Sequence, residues 1–124
     1  MPKLVSKSKC IGVGGSRRRD GDYDFRMFLK VFDRIHKPGD TLVSGGCPQG
    51  GDRFAEAAAK AWGLTITIHY PDWKGKGRIA GFLRNTKVAE QCDVFIAVVA
   101  EDRTGGTEDA VKKVLKLGKK VYYA

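Results

Sequence analysis

The sequence has few of the residues that build disulfide or metal sites, with only three cysteines and two histidines in 124 residues. Cys10, Cys47 and Cys92 are odd in number and lie far apart, and no Cys-x-x-Cys pair occurs. This pattern argues against a disulfide framework and against a zinc site. We therefore predict neither a bound metal nor a resident cofactor.

Long apolar runs are also missing. No segment approaches the ~20 apolar residues that a membrane-spanning helix needs, and residues 1–8 lack the apolar core of a signal peptide. We expect a cytoplasmic protein with no membrane partner, in which residues 1–8 form a flexible start. No repeat, linker or low-complexity segment interrupts the chain, so residues 1–124 are predicted to form a single domain.

Acidic residues are outnumbered by basic ones. The chain has 23 lysines and arginines against 14 aspartates and glutamates, which gives a formal net charge of +9. Such an excess attracts phosphate on a small nucleotide, on nucleic acid or on a membrane surface, and charge alone does not choose among them. Arg17, Arg18 and Arg19 are the most informative cations because they lie in or beside a glycine-rich loop.

Glycine is plentiful, and much of it follows short runs rich in isoleucine and valine. The three glycine-rich loops are Gly-Gly-Ser-Arg at 14–17, Ser-Gly-Gly-Cys-Pro-Gln-Gly-Gly-Asp at 44–52 and Thr-Gly-Gly-Thr at 104–107. A glycine loop between a strand and a helix exposes backbone N–H groups that bind phosphate. The three loops therefore predict one shared site for an anionic ligand.

Strand and helix patterns alternate along the chain. We predict strands at 10–13, 41–43, 64–69, 93–99 and 121–123, helices at 25–35, 52–62, 78–91 and 107–117, and a loop at 70–77. This alternation predicts an α/β doubly wound sheet of about five mostly parallel strands, with helices on both faces and the order 3-2-1-4-5. Ligands bind such sheets outside the carboxyl ends of the strands, where the winding reverses.

Five motifs follow one another in order: Gly15-Ser16-Arg17, Leu42-Val43-Ser44-Gly45-Gly46 with Gly50-Gly51-Asp52, Pro71-Asp72-Trp73, Ala80-Gly81-Phe82-Leu83-Arg84-Asn85, and Gly106-Thr107 before Gly118. Over about residues 10–121 they resemble the YspA-like branch of the SLOG superfamily. That superfamily includes DprA, a DNA recombination mediator, and the Lonely-guy phosphoribohydrolases. The resemblance implies a Rossmann-like fold that binds nucleotides or nucleotide-derived molecules, and we expect a homo-oligomer.

The predicted ligand-binding residues come from these motifs. Glycines let the backbone approach a phosphate, hydroxyls donate hydrogen bonds or cap helices, and arginines offer planar forks. Asp52 is expected to accept ribose hydroxyls or cap a helix, Trp73 to stack on a base or cover the core, and Arg84 to contact the ligand or pair with a carboxylate. The full set is Gly14, Gly15, Ser16, Arg17, Ser44, Gly45, Gly46, Gly50, Gly51, Asp52, Trp73, Gly81, Arg84, Asn85, Gly105, Gly106 and Thr107.

The sequence leaves three hypotheses for the function. The first is a binding module. It would hold a nucleotide-derived ligand, such as an ADP-ribose-like or NAD-like molecule or a nucleoside phosphate, as a sensor or sequestering protein. The third hypothesis is DprA-like binding of single-stranded nucleic acid, with Arg17, Arg18 and Arg19 along a phosphate track.

The second hypothesis is a phosphoribohydrolase or N-glycosidase. In the Lonely-guy motif P-G-G-x-G-T-x-x-E, a glutamate three residues after the threonine helps break the glycosidic bond. The corresponding position after Thr107 is Ala110. Glu108 and Asp52 are therefore the candidate catalytic acids.

Overall fold

The protein, seen in a computed structural model that describes residues 8–124, alternates strands and helices. Strands β1 to β5 are Cys10–Gly15, Thr41–Ser44, Ile66–Ile68, Val94–Val98 and Lys120–Tyr123. Helices α1 to α5 are Asp22–Ile35, Gly51–Trp62, Trp73–Lys76, Ala80–Gln91 and Gly106–Lys116, with a 3-10 turn at Gly77–Ile79. The flexible start predicted for residues 1–8 lies outside the described residues, apart from Ser8.

The five strands form one parallel sheet in the order β3-β2-β1-β4-β5. The α/β fold class, the Rossmann-like winding and the strand order are all confirmed. In the middle of the sheet, Ile11 of β1 pairs with Leu42 of β2 on one side and with Val94 of β4 on the other. Because the helices that follow β1 and β4 lie on opposite faces, the loops after these strands diverge and leave a crevice.

Alternate residues of the strands contribute to two separate cores. Ile96 and Val98 of β4 face α1 and α2, where Phe28 and Phe54 are fully buried. Phe95 and Ala97, which alternate with Ile96 and Val98 along β4, face α4 and α5 instead. Two long helices therefore cover each face, which is why the strands lack the polar alternation of a sheet that is half exposed.

The prediction of an uninterrupted loop at 70–77 is wrong. Helix α3 begins at Trp73 because the Asp72 carboxylate accepts a hydrogen bond of 2.9 Å from the Gly75 N–H and caps the turn. Gly77, at a φ of +58°, ends this helix, and α4 begins at Ala80 rather than at 78. The segment has two glycines and little apolar periodicity, so its sequence carries no helical signal.

The end of β1 and the start of α2 touch through their backbones. A Cβ atom on Gly51 would lie 2.5 Å from the carbonyl carbon of Gly14, and one on Gly15 would lie 2.6 Å from the Gly51 nitrogen. Gly50, at a φ of +77°, precedes this contact. Only glycine permits so close an approach, and it brings the first two glycine-rich loops together.

Gly51→Ala is expected to lower the free energy of unfolding by about 2 kcal/mol, because the added methyl group meets backbone atoms that cannot rotate away. Urea denaturation measures this change. Gly106→Ala is the matched control, since a Cβ on Gly106 meets no atom of residues 8–124 within 4 Å. Equal stability of the two variants would contradict the packing argument.

Candidate functional site

A cleft of about 400 Å³ opens at the carboxyl edge of the sheet, between the glycine-rich loops and the α3–α4 segment. Its walls include apolar side chains of β1, β4 and α4, among them Val13, Phe95 and Val88. The structure brings most of the predicted binding residues to this cleft. Those that line it are Gly14, Gly15, Ser16, Arg17, Gly45, Asp52, Trp73, Gly81, Arg84, Asn85, Gly105, Gly106 and Thr107.

Four predicted binding residues do not line the cleft. Gly50 and Gly51 form the backbone contact with β1 described above, and a Cβ on Gly46 would meet the ring of Tyr70 at 2.5 Å. Ser44 is fully buried, and its hydroxyl has no hydrogen-bond partner within residues 8–124. The three glycines contribute to packing and loop conformation, and ligand contact by any of the four residues stays a prediction.

Glu108 is also outside the cleft lining. Its carboxylate pairs with the Arg103 guanidinium, at 2.9 Å to Nε and 3.0 Å to Nη2. Helix α5 turns the Glu108 side chain away from Thr107, which does line the cleft. Of the two predicted catalytic acids, only Asp52 is in the cleft.

The first turn of α5 presents unpaired N–H groups to the cleft. Within residues 8–124, the amides of Gly106 and Thr107 have no hydrogen-bond acceptor, as expected for the first residues of a helix. Gly105, at a φ of +108°, turns the chain into this helix. The positive end of the α5 dipole therefore adjoins the β1 loop, where an anion is stabilised.

The three consecutive arginines have different environments. Arg18 makes a bidentate pair with Asp102, at 2.9 Å for each bond, and also bonds Thr104, so it ties the first loop to the third. Arg19 bonds Asp24 and two backbone carbonyls. Arg17 is exposed, lines the cleft and makes no hydrogen bond or ion pair within the part of the chain that is described.

Arg84 and Asn85 of α4 hold two glycine-rich loops in place. The Arg84 guanidinium donates to the Gly45 carbonyl and to the Asn85 side-chain oxygen. The Asn85 amide nitrogen donates to the Gly106 carbonyl at 3.2 Å and to Asp109 at 3.1 Å. Both residues were predicted to contact the ligand, which stays a prediction, and the structure shows that they hydrogen-bond to the second and third glycine-rich loops.

Asp52 is the only carboxylate that lines the cleft among residues 8–124. Its Oδ2 accepts a hydrogen bond of 3.0 Å from the Cys47 N–H and lies 3.7 Å from Nη1 of Arg84. Burial raises the pKa of Asp52 above its ordinary value, although the Cys47 amide and Arg84 both favour the ionised form. A buried acid beside a cation in a cleft is suited to ligand recognition or proton transfer.

Several cleft residues were missed by the sequence interpretation. Arg78 and Phe82 lie in or next to the motif quoted above, but neither was predicted as a binding residue. Cys47 and Thr104 lie within the glycine-rich loops themselves. Their positions next to motif residues are the signal that could have identified them.

No protein-family model matches the sequence, and no curated protein matches it either. Solved structures do match. DNA processing protein A (DprA) from Streptococcus pneumoniae superposes with a TM-score of 0.76 at 18% identity, over 94% of this chain and 50% of that one. This chain therefore spans about half the length of DprA.

Two molybdenum cofactor proteins also match. The carrier protein from Chlamydomonas reinhardtii has a TM-score of 0.69 at 20% identity, over 94% of this chain and 76% of that one. The cofactor-binding protein from the phototrophic bacterium Rippkaea orientalis has a TM-score of 0.70 at 22% identity, over 96% and 77%. These proteins share the Rossmann-like α/β fold of this chain. At these identities the likeness shows the fold alone, and membership of the SLOG superfamily and of its YspA-like branch stays a prediction.

Within residues 8–124, no helix is long and apolar enough to cross a membrane. The same residues contain no group of three or more histidine, cysteine, aspartate or glutamate side chains arranged to hold a metal ion.

Asp52→Asn is expected to leave the free energy of unfolding at neutral pH equal to or above that of the unmodified protein. A carboxyl whose pKa is raised by folding holds its proton more tightly in the folded state, so stability falls as pH rises from the ordinary value of 3.8 through the folded pKa. Asparagine has no charge to desolvate.

Urea denaturation over a pH series checks this prediction. The difference between Asp52→Asn and the unmodified protein should shrink as the pH falls toward 3.8. A loss of more than about 1 kcal/mol at neutral pH would show instead that the Asp52 charge stabilises the fold through Arg84.

Proposed function

We propose that this protein binds a nucleotide or nucleotide-derived ligand in the cleft, as a sensor or sequestering module. One observation carries the proposal: the same cleft combines two half-exposed aromatic rings with backbone N–H groups and a guanidinium that have no partner within residues 8–124. Phosphate and a planar base are the two parts of a nucleotide that these groups recognise. The cleft volume of about 400 Å³ falls in the range of small-molecule sites.

The phosphate end is the junction of the first and third glycine-rich loops. The amides of Gly106 and Thr107 lie in the first turn of α5, and Arg17, on the facing loop, has no ion-pair partner among the described residues. Backbone amides at a helix start and an arginine fork are the usual ligands of phosphate oxygens in proteins. Arg18 is paired with Asp102, so it holds the first loop to the third and leaves the phosphate to Arg17 and the amides.

The aromatic end is formed by Trp73 of α3 and Phe82 of α4. Their side chains are 53% and 52% exposed, although both line a concave surface. A Cβ on Gly81 would lie 3.3 Å from the Trp73 ring, so the glycine allows the indole to rest against the start of α4. Exposed rings at a cleft supply stacking surfaces for a heterocycle.

The structural neighbours support a ligand of this kind. The Chlamydomonas and Rippkaea proteins are described as a carrier and a binding protein of the molybdenum cofactor, and DprA as a DNA processing protein. All three descriptions name cofactor or nucleic-acid partners. The molybdenum cofactor therefore belongs in any set of candidate ligands for this chain.

A nucleotide N-glycosidase is the second candidate, because Asp52 is in the cleft and its pKa is raised. A carboxyl whose pKa is raised holds its proton more tightly and is better suited to deliver it to a leaving base. Glu108 is bound to Arg103, so Asp52 is the stronger choice of acid. Nucleic-acid binding is less favoured, because Arg18 and Arg19 of the proposed phosphate track are already paired.

Trp73→Ala and Arg17→Ala are each expected to weaken binding of the best nucleotide by about tenfold, through lost stacking or a lost charge-assisted hydrogen bond. A thermal-shift screen of mononucleotides, NAD, ADP-ribose and the molybdenum cofactor identifies the ligand, and titration calorimetry gives its Kd. A ligand at a hundredfold excess over its Kd raises stability by about 2.7 kcal/mol.

Trp62→Ala is the control for Trp73→Ala, since Trp62 is 50% exposed but does not line the cleft. Chromatography of each mixture detects cleavage, which Asp52→Asn should abolish and Glu108→Gln should leave intact if the domain is a glycosidase. Absence of any shift, with affinity that rises with the length of single-stranded nucleic acid, would overturn the proposal in favour of the third hypothesis.

A further inference from the structure

We propose that the ligand presents two negative charges to this cleft, and that Arg78 is one of the two residues that neutralise them. The inference rests on the proposed function and deepens it by naming the charge class of the ligand. Two chemical groups meet this requirement: a phosphomonoester dianion, as on a nucleoside 5'-monophosphate, and a diphosphate, as in ADP-ribose.

The charges that line the cleft do not balance. Four guanidinium groups line it, and Asp52 is the only carboxylate that does so within residues 8–124. Arg18 is neutralised by Asp102, and Arg84 lies next to Asp52. Arg17 and Arg78 make no ion pair and no hydrogen bond within the same residues. Two positive charges therefore remain available.

An unpaired arginine on a convex surface needs no partner, because water solvates it. Arg17 and Arg78 differ because they line a concave site whose walls include Val13, Phe95 and Val88. Walls of low dielectric constant focus the field of the two charges into the cleft. A ligand that neutralises both of them is favoured over one that neutralises only one.

Arg78 approaches the cleft on a segment with few constraints. Every residue from 72 to 79 is exposed, and no hydrogen bond joins this segment to a strand or to a glycine-rich loop in the part of the chain described. Its hydrogen bonds are local ones, such as Gly75 to Asp72. Because Trp73 lies on the same segment, one small movement would place both the indole and the Arg78 guanidinium against a bound nucleotide.

The experiment compares ligands that differ in charge but share a base and a phosphate position. The 5'-monophosphates of the four RNA nucleosides, their phosphate methyl esters and ADP-ribose are titrated by calorimetry at a pH of about 7.5, above the second phosphate pKa of about 6. At least one monophosphate should bind about tenfold more tightly than its methyl ester, or ADP-ribose should bind more tightly than both of them. The result also tells a monoester ligand from a diphosphate.

Variants assign the second charge to Arg78. Arg78→Ala should weaken binding of the preferred dianion about tenfold and reduce its advantage over the methyl ester, whereas Arg78→Lys should keep part of that advantage because the charge remains. Arg26→Ala is the matched control, since Arg26 is an exposed arginine of α1 outside the cleft. Its loss should change neither the Kd of the dianion nor that of the methyl ester.

The outcomes separate this inference from the proposed function. Equal binding of dianions and methyl esters, or an effect of Arg78→Ala no larger than that of Arg26→Ala, overturns the inference while nucleotide binding stands. Failure of every probe to bind overturns the proposed function and the inference with it.

Discussion

The structure depends on one backbone contact, the approach of the start of α2 to the end of β1. Gly14 and Gly15 meet Gly51 at distances that exclude a Cβ atom, and this contact brings the first and second glycine-rich loops to the same edge of the sheet. The third loop reaches that edge because β4 pairs with β1 along five residues. The three loops therefore meet at one cleft for two reasons. Glycines allow the backbones of β1 and α2 to approach closely, and parallel pairing brings the ends of β1 and β4 to the same edge.

Helix α4 completes the arrangement from the side. Arg84 binds the second loop through the Gly45 carbonyl, and Asn85 binds the third through the Gly106 carbonyl. The Arg84 guanidinium also lies 3.7 Å from the Asp52 carboxylate. Burial of the Asp52 carboxylate favours its neutral form and raises its pKa, so ionising this side chain lowers the stability of the folded protein. Such buried acids are typical of binding and catalytic sites.

Much of the fold could be predicted because hydrophobic runs, glycine loops and strand–helix alternation are local signals. The strand order and the winding follow from general rules of parallel sheets. Helix α3 could not be predicted, since one capping bond from Asp72 produces it. The roles of Arg84 and Asn85 as loop anchors depend on hydrogen bonds across 39 and 21 residues, and the capture of Glu108 by Arg103 depends on a turn of the third loop. Side-chain geometry of this kind has no signature in spacing.

The central claim is that three glycine-rich loops form one site for one ligand. Amide chemical-shift mapping by NMR, on isotope-labelled protein titrated with the tightest-binding nucleotide, tests it most directly. If the three loops form one site, the amides of Arg17, Gly45 and Thr107 shift together and saturate with a single Kd. Shifts confined to the outer surfaces of α1 and α5, or loops that saturate at different concentrations, would contradict it.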